Sequence, residues 1–237
     1  MKTSLSHLPG NKRSEIMRIV DIIREVVNPE MIILFGSYAK GGWKEHRYQS
    51  RDGVFYEYFS DYDFLVITQK VTNETSDQEW MIEEQAKEGG PPINLEIHEI
   101  DFVNKGIEAG QYFFLDIVKE GILLYTTNSA EFSKPLELSI ERQRAIAEEY
   151  FQAWFPQASE FLIDATNALA RKSLRNATFY LHQSAESLYY TTLLVFTGYK
   201  PKTHNLKKLR KKAKDLALKL FLLFPVDFQA HFFFQYW

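Results

Sequence analysis

Two short polar segments contain residues whose types and spacing could do chemistry. Gly36 and Ser37 directly follow an apolar run, and Asp61 and Asp63 open another one. Residues two apart in a strand project from one face, so the two carboxylates would lie close together and repel each other unless a cation neutralises them. Hard oxygen ligands suit Mg²⁺, which completes its shell with water and substrate phosphates. This pair therefore predicts an Mg²⁺ site.

The glycine–serine segment complements such a site. Gly36 lets the backbone approach an anion without a Cβ in the way, and the Ser37 hydroxyl and nearby N–H groups can hold phosphate oxygens. A phosphate cradle beside metal-binding carboxylates is the apparatus of phosphoryl or nucleotidyl transfer. Either segment alone would more often be a turn or a solvated strand end. Their succession, each joined to an apolar strand, favours a site.

The elements that must position these residues follow from hydrophobic periodicity. Apolar residues at helical spacing predict a helix over about 12–27 and another over 77–87, with further helical pieces in 101–120. Four apolar or alternating runs predict strands: Met31–Phe35, Phe64–Ile67, Ile93–His98 and Ile122–Thr126. Alternation makes the third a half-exposed strand, with Asn94, Glu96 and His98 facing outward together.

The pattern changes after residue 128, where strands give way to helical periodicity over 141–155, 158–171, 176–196 and 206–223. We predict an α+β domain with a mixed sheet and flanking helices over residues 1–130. An all-α, up-and-down helical bundle is expected over 131–237. Thr203 or Asn205 would cap the last of these helices. The aromatic segment 228–237 lacks helical spacing, and we expect a truncated or altered end whose apolar residues bury against a neighbour or aggregate.

Composition excludes several classes of protein. The 237 residues suit one or two domains, and 45% hydrophobic and 25% charged residues are typical of a folded chain. A net charge of −3 does not drive the chain onto nucleic acid, and the absence of cysteine excludes disulfide scaffolds and thiolate sites. No apolar stretch is long enough for a membrane helix and the charged N-terminus is unlike a secretory peptide, so we expect a cytoplasmic protein.

The segments Phe35–Gly41 (FGSYAKG) and Ser60–Asp63 (SDYD) resemble the GS-x(n)-DxD pattern of the nucleotidyltransferase superfamily that includes DNA polymerase beta, especially its minimal members. The resemblance implies that the glycine–serine turn grips a nucleoside triphosphate, ATP by preference in this chain, with Lys40 as a further nucleotide-binding candidate. It also implies that the paired aspartates bind two Mg²⁺. A third carboxylate on a neighbouring strand would help to activate the attacking hydroxyl.

Glu96 is the candidate for that third catalytic and metal-binding acid. The family usually has aspartate there, and Glu96 could equally be a polar residue on a solvent-facing strand. His98 is expected to be a hydrogen-bonding partner rather than a base. The connection from Gly41 to Ser60 is longer than usual, which indicates an inserted hairpin, and four of its side chains could line the substrate side: Trp43, Arg47, Tyr56 and Tyr58.

Segments 177–186 and 197–206 resemble the HEPN domain, a helical bundle that often accompanies minimal nucleotidyltransferases. The resemblance implies a homodimer through this domain, with nucleotide, RNA or partner contact. Some HEPN proteins are ribonucleases with an Arg followed by a His, which Arg175 and His182 could match. A structural or interface role is favoured for His182, since spacing alone is a weak argument.

Residues 200–214 contain eight basic side chains and no acid. Such a run can bind a phosphate backbone, although few aromatic residues interleave for base stacking and a solvated helix face is favoured.

The sequence thus predicts an Mg²⁺-dependent enzyme that transfers a nucleoside monophosphate, AMP by preference, to an acceptor hydroxyl on a protein, an RNA or a small molecule. Nucleotidyltransferase–HEPN pairs suggest toxin–antitoxin biology. The alternatives are a non-catalytic nucleotide-binding module and a HEPN ribonuclease.

Overall fold

The computed structural model divides the chain into two compact units, Met1–Leu136 and Glu137–Trp237. It describes residues 1–49, 55–72, 74–87, 91–136, 138–214 and 216, with backbone only at 46–49 and 55–58. Segment 228–237 lies outside the described residues, and so do the side chains of Arg47, Tyr56 and Tyr58. The domain boundary at 130/131 stays a prediction.

The first unit is built on a four-stranded mixed sheet in the order β5-β4-β1-β6. Strand β1 pairs antiparallel with β4 and with β6, whereas β4 and β5 run parallel. The elements in chain order are α1 (Gly10–Val27), β1 (Met31–Phe35), α2 (Gly36–Lys40), β2 (Glu45–Gln49), β3 (Phe55–Phe59), β4 (Tyr62–Thr68), α3 (Thr75–Ala86), β5 (Ile93–Glu99), α4 (Ile100–Glu108), α5 (Tyr112–Glu120) and β6 (Ile122–Thr126).

One face of the sheet packs against α1 and α3. Alternate residues of β4, such as Phe64 and Val66, form a fully buried cluster with Ile16 and Ile23 of α1 and Ile82 of α3. Burying such side chains contributes about 1.5–3 kcal/mol each. This layer holds β4 rigidly, and with it the residues that begin the strand.

The second face is covered as well, which corrects the expectation of a half-exposed strand. Glu96 is 6% exposed and His98 is 2% exposed. The His98 ring stacks on Phe102 of α4 at 4.7 Å and meets Phe114 of α5 edge-on at 6.0 Å. Alternation correctly predicted that these residues share a face, but helices later in the chain bury that face.

Between β1 and β4 the chain forms the separate two-stranded sheet β2–β3. Trp43, just before β2, stacks nearly parallel on Tyr38 of α2 with ring centroids 5.4 Å apart. The predicted inserted hairpin is therefore present, and Trp43 joins its base to the core of the first unit.

The described part of the second unit is helical, with α6 (Ile140–Ala170), α7 (Leu174–Thr197) and α8 (Leu206–Ala213). Two helices were predicted where the structure has the single helix α6, which continues through Pro156. An interior proline removes a backbone hydrogen bond and usually kinks or ends a helix. Here α7 packs on both sides of it: Tyr190 meets the Trp154 ring at 5.6 Å, and Ser184 donates to the Ala158 carbonyl at 2.8 Å.

These contacts run in opposite directions along the two helices, so α6 and α7 are antiparallel. The connection to α8 is fixed by Tyr190, whose hydroxyl donates to the Thr203 carbonyl at 2.7 Å. The predicted cap is confirmed at Asn205, whose side chain accepts from the backbone N–H groups of Lys207 and Lys208. Within the ranges described above, no helix combines the length and apolar character that crossing a bilayer requires.

Candidate active site

The end of β1 and the beginnings of β4 and β5 meet at one edge of the sheet. In the register of the strands, Phe35 lies opposite Asp63, and Asp63 lies opposite Asn94. The chain turns at Gly36 immediately after Phe35. This edge therefore brings the glycine–serine turn and the second aspartate of the acidic pair together, although 26 positions separate Ser37 from Asp63 in the numbering.

Gly36 and Asp63 are in close contact. Gly36 has φ of +71°, a left-handed conformation that side chains with a Cβ rarely adopt. A Cβ at this position would lie 2.9 Å from Cγ of Asp63 and closer still to Oδ2. Both the backbone conformation and the space thus require glycine, and the missing side chain makes room for a carboxylate.

The acidic pair lies at the start of β4. Asp61 directly precedes the strand and Asp63 is its second residue, and both are half-buried. Tyr62 between them is fully buried in the α1–α3 layer. Since neighbouring strand residues point to opposite faces, Asp63 projects away from that layer, toward the face that carries Phe35 and Asn94.

Asn94 is a site residue that the sequence did not single out. Its Nδ2 donates to Oδ1 of Asp63 at 2.9 Å. The positions of the two residues in their strands could have indicated this contact. Asp63 and Asn94 are each the second residue of their strand, and the parallel register of β4 and β5 places them opposite each other. The contact could be predicted only if β4 and β5 were known to be parallel neighbours.

Glu96, the predicted third acid, lies one row deeper on the same face, level with Leu65. Its Oε2 is 3.4 Å from Nε2 of His98, which lies one row deeper again. The structure thus brings Glu96 to His98, on the side away from the edge where Asp63 contacts Gly36. The assignment of Glu96 as a catalytic acid and metal ligand stays a prediction.

Lys40, the predicted further nucleotide-binding residue, pairs with α5. Its Nζ is 2.7 Å from Oε2 of Glu120 and 3.9 Å from Oδ2 of Asp116. The hydrogen bond and charge of Lys40 lower the pKa of Glu120. About half of the Lys40 side chain remains exposed to solvent. Its structural role is to hold the end of α2 against α5, and nucleotide contact by Lys40 stays a prediction.

A buried polar network supports the site from the α1 side, and sequence reasoning missed it. The Tyr62 hydroxyl donates to Oε2 of Glu15 at 2.7 Å. Lys12 bridges Glu15 at 3.3 Å and Glu45, the first residue of β2, at 2.5 Å. Burial and the neighbouring carboxylate raise the pKa of Tyr62, so this hydroxyl remains a donor across the physiological range. The network fixes β4 beside Asp63 and joins the hairpin to α1.

The side chains at this edge fit a divalent cation. Two carboxylates suit Mg²⁺, which usually binds through one or two protein carboxylates together with substrate phosphates. The missing Cβ of Gly36 leaves the carboxylate of Asp63 directly beside the turn. Among the residues whose placement is described, no three His, Asp or Glu side chains converge into a metal-binding group. The aspartate pair supplies the candidate ligands at the start of β4, and Glu96 stays a predicted third one.

In the second unit, Arg175 and His182 lie seven positions apart on α7. Two helical turns separate them by about 10 Å along one side of the helix. Arg175 is exposed and His182 is half-buried. Basic residues of the stretch 200–214 form most of α8, whose Leu209 and Ala213 are buried against Tyr189 and Tyr190. A ribonuclease role for Arg175 and His182 stays a prediction.

Comparison with known families agrees with the two-unit architecture. Residues 17–130 match the family model described as "Polymerase beta, Nucleotidyltransferase", and residues 151–228 match the HEPN domain model. The chain thus contains a nucleotidyltransferase domain of the polymerase beta family followed by a HEPN domain, which confirms the predicted family and fold class. No curated protein matches this chain closely enough to count as a relative.

Proposed function

We propose that the first unit is an Mg²⁺-dependent nucleotidyltransferase that moves a nucleoside monophosphate, AMP by preference, from a nucleoside triphosphate to an acceptor hydroxyl. The observation that carries the proposal is the contact between Gly36 and the carboxylate of Asp63. A turn that can receive phosphate oxygens and a carboxylate that can bind a cation occupy one edge of the sheet, as transfer from a triphosphate requires.

In the reaction, the acceptor oxygen forms a bond to the α-phosphorus while the bond to the bridging oxygen breaks, which releases pyrophosphate and a proton. Asp61 and Asp63 would hold Mg²⁺, which when bound neutralises charge on the phosphates. Gly36 and Ser37 would seat the triphosphate, with Lys40 as a further nucleotide-binding residue. Glu96 is proposed to orient the acceptor or accept its proton. Substitution of Glu96 by glutamine, with loss of transfer but retained nucleotide binding, would support that role.

For the HEPN domain we propose a homodimer interface. Ten large apolar side chains of α6 and α7 are exposed among the residues that the structure describes, and six of them lie between positions 162 and 181: Leu162, Ile163, Leu169, Leu174, Phe179 and Leu181. HEPN domains often dimerise, and a second copy would cover these side chains. Sedimentation should show a dimer that Ile163→Lys weakens; a wild-type monomer at every concentration would contradict the proposal. A partner acceptor, toxin–antitoxin biology and a cytoplasmic location remain parts of the functional proposal.

The function is tested with ATP labelled at the α-phosphate, Mg²⁺, and either the chain itself or total RNA as acceptor. We expect label transfer by the wild type and its loss in the double variant Asp61→Ala/Asp63→Ala. A matched control is Asp21→Ala/Glu25→Ala, which removes the same charge from exposed positions of α1. Transfer that survives in the first double variant would refute the site.

Two further outcomes separate the alternatives. Binding of a non-hydrolysable ATP analogue without transfer to any acceptor would favour a nucleotide-binding module. Cleavage of RNA in EDTA that is lost in His182→Ala would favour a HEPN ribonuclease.

A further inference from the structure

We propose that Asn94 is a positioning residue that holds the carboxylate of Asp63 in the orientation that binds a divalent cation. The inference rests on the proposed function, because it assigns a role within the same site. The residue lies on β5, level with Asp63, and its Nδ2 is 2.9 Å from Oδ1.

The direction of this hydrogen bond follows from the chemistry of the two groups. An ionised carboxylate only accepts hydrogen bonds, so the amide nitrogen of Asn94 must be the group that faces it. A bond to a charged acceptor is stronger than one between neutral groups. Asp63 is thus tied to the neighbouring strand through one oxygen, while the other oxygen lies against Gly36. These two contacts restrict the rotation of the carboxylate.

The hydrogen bond leaves the carboxylate able to bind a metal. A carboxylate has about four lone-pair sites, and the N–H of Asn94 occupies one of them. Donors of this type orient metal ligands, and their removal typically lowers metal affinity by about 10–100-fold. A neutral amide also adds no negative charge beside Asp61 and Asp63, so the pair is spared further like-charge repulsion before the cation binds.

Two substitutions at position 94 make opposite predictions. Asn94→Leu removes the donor at similar volume and should weaken Mn²⁺ binding by about tenfold. Asn94→Asp replaces the donor with a carboxylate facing Asp63. Because the affinity of oxygen sites rises with ligand charge, this variant should bind Mn²⁺ about tenfold more tightly. Without metal, repulsion between the two carboxylates should lower its melting temperature, and Mn²⁺ should restore it.

The experiment measures Mn²⁺ binding by electron paramagnetic resonance and melting temperature with and without Mn²⁺, using the full chain. The matched control is Asn104→Leu, which removes an asparagine that bonds the backbone of Glu131 and Ser133 away from the acidic pair. It should leave Mn²⁺ affinity unchanged. A purely structural role for Asn94 would lower the melting temperature in Asn94→Leu without changing Mn²⁺ affinity.

Unchanged Mn²⁺ affinity in Asn94→Leu would overturn the inference while leaving the proposed function in place. If Asn94→Leu fails to fold, Asn94→Ala takes its place, and unchanged Mn²⁺ affinity in that variant would overturn the inference in the same way. Equal Mn²⁺ binding by the wild type and by Asp61→Ala/Asp63→Ala would instead refute the proposed site, and this inference with it.

Discussion

Substitution of Gly36 by alanine should weaken cation binding at the acidic pair by at least about tenfold and destabilise the fold by about 2.5–5 kcal/mol. The new methyl group would occupy the space that the carboxylate of Asp63 fills, with Cγ only 2.9 Å away. Real Cβ atoms do not approach other atoms that closely, so Asp63 must rotate. Rotation breaks its hydrogen bond from Asn94, and the carboxylate then no longer faces the cation site.

The expected cost can be worked out from two separate contributions. A side chain in the left-handed region costs about 1–2 kcal/mol. Loss of a hydrogen bond to a charged group costs about another 1.5–3 kcal/mol. Gly41 allows the backbone strain to be measured without loss of the hydrogen bond. Its φ is +79°, but the nearest atom to an added Cβ lies 3.8 Å away, in His7. Gly41→Ala therefore carries only the backbone strain, and Gly42→Ala, with open space around it, carries neither contribution.

The assay compares urea unfolding and Mn²⁺ affinity in the three alanine variants. We expect Gly42→Ala to match the wild type, and Gly41→Ala to lose ~1–2 kcal/mol of stability with Mn²⁺ affinity preserved. Gly36→Ala should lose more stability, and its Mn²⁺ affinity should fall by at least about tenfold. Wild-type Mn²⁺ affinity in folded Gly36→Ala would refute the reasoning. The carboxylate of Asp63 would then bind the cation without its present contact with Gly36.

Two further predictions concern buried polar groups. Lys12→Met leaves the carboxylates of Glu15 and Glu45 without the cation that they share. Because each glutamate keeps over a quarter of its side chain exposed, we expect the free energy of unfolding in urea to fall by about 2–3 kcal/mol. Adding Glu45→Gln should recover part of this loss, and a further, additive loss of stability would argue against the network. Burial raises the pKa of Tyr190 to about 12 from 10.0, so its contribution to stability is complete below pH 10 and is lost as the pH rises from 10 to 12. Tyr190→Phe should flatten that decline in thermal unfolding, whereas an unchanged pH profile would contradict the assignment.

Hydrophobic periodicity was sufficient to predict the sheet. The runs at Met31–Phe35 and Phe64–Ile67 lie within β1 and β4, because strands buried on both faces are continuous apolar segments bounded by turns. The glycine–serine turn and the aspartate pair were predicted from their positions at the ends of these strands. Their contact could not be predicted in detail, since it depends on the pairing of β1 with β4 across the inserted hairpin.

Other features depended on contacts that a local pattern does not contain. Glu96 and His98 looked exposed because alternation identifies a face but does not show what covers it. The apolar pattern of α1 gives no sign that Lys12 is buried, since a charged residue is usually exposed, yet it is 7% exposed and pairs with two carboxylates. Pro156 suggested two helices where packing of α7 maintains one.

The most direct test of the central claim is a crystal structure of the full chain with Mn²⁺ and a non-hydrolysable ATP analogue, with the metal located by its anomalous signal. We expect a Mn²⁺ peak in contact with the carboxylates of both Asp61 and Asp63, and triphosphate oxygens at the backbone of Gly36 and Ser37. Nucleotide bound elsewhere on the chain, with no Mn²⁺ at this acidic pair, would contradict it.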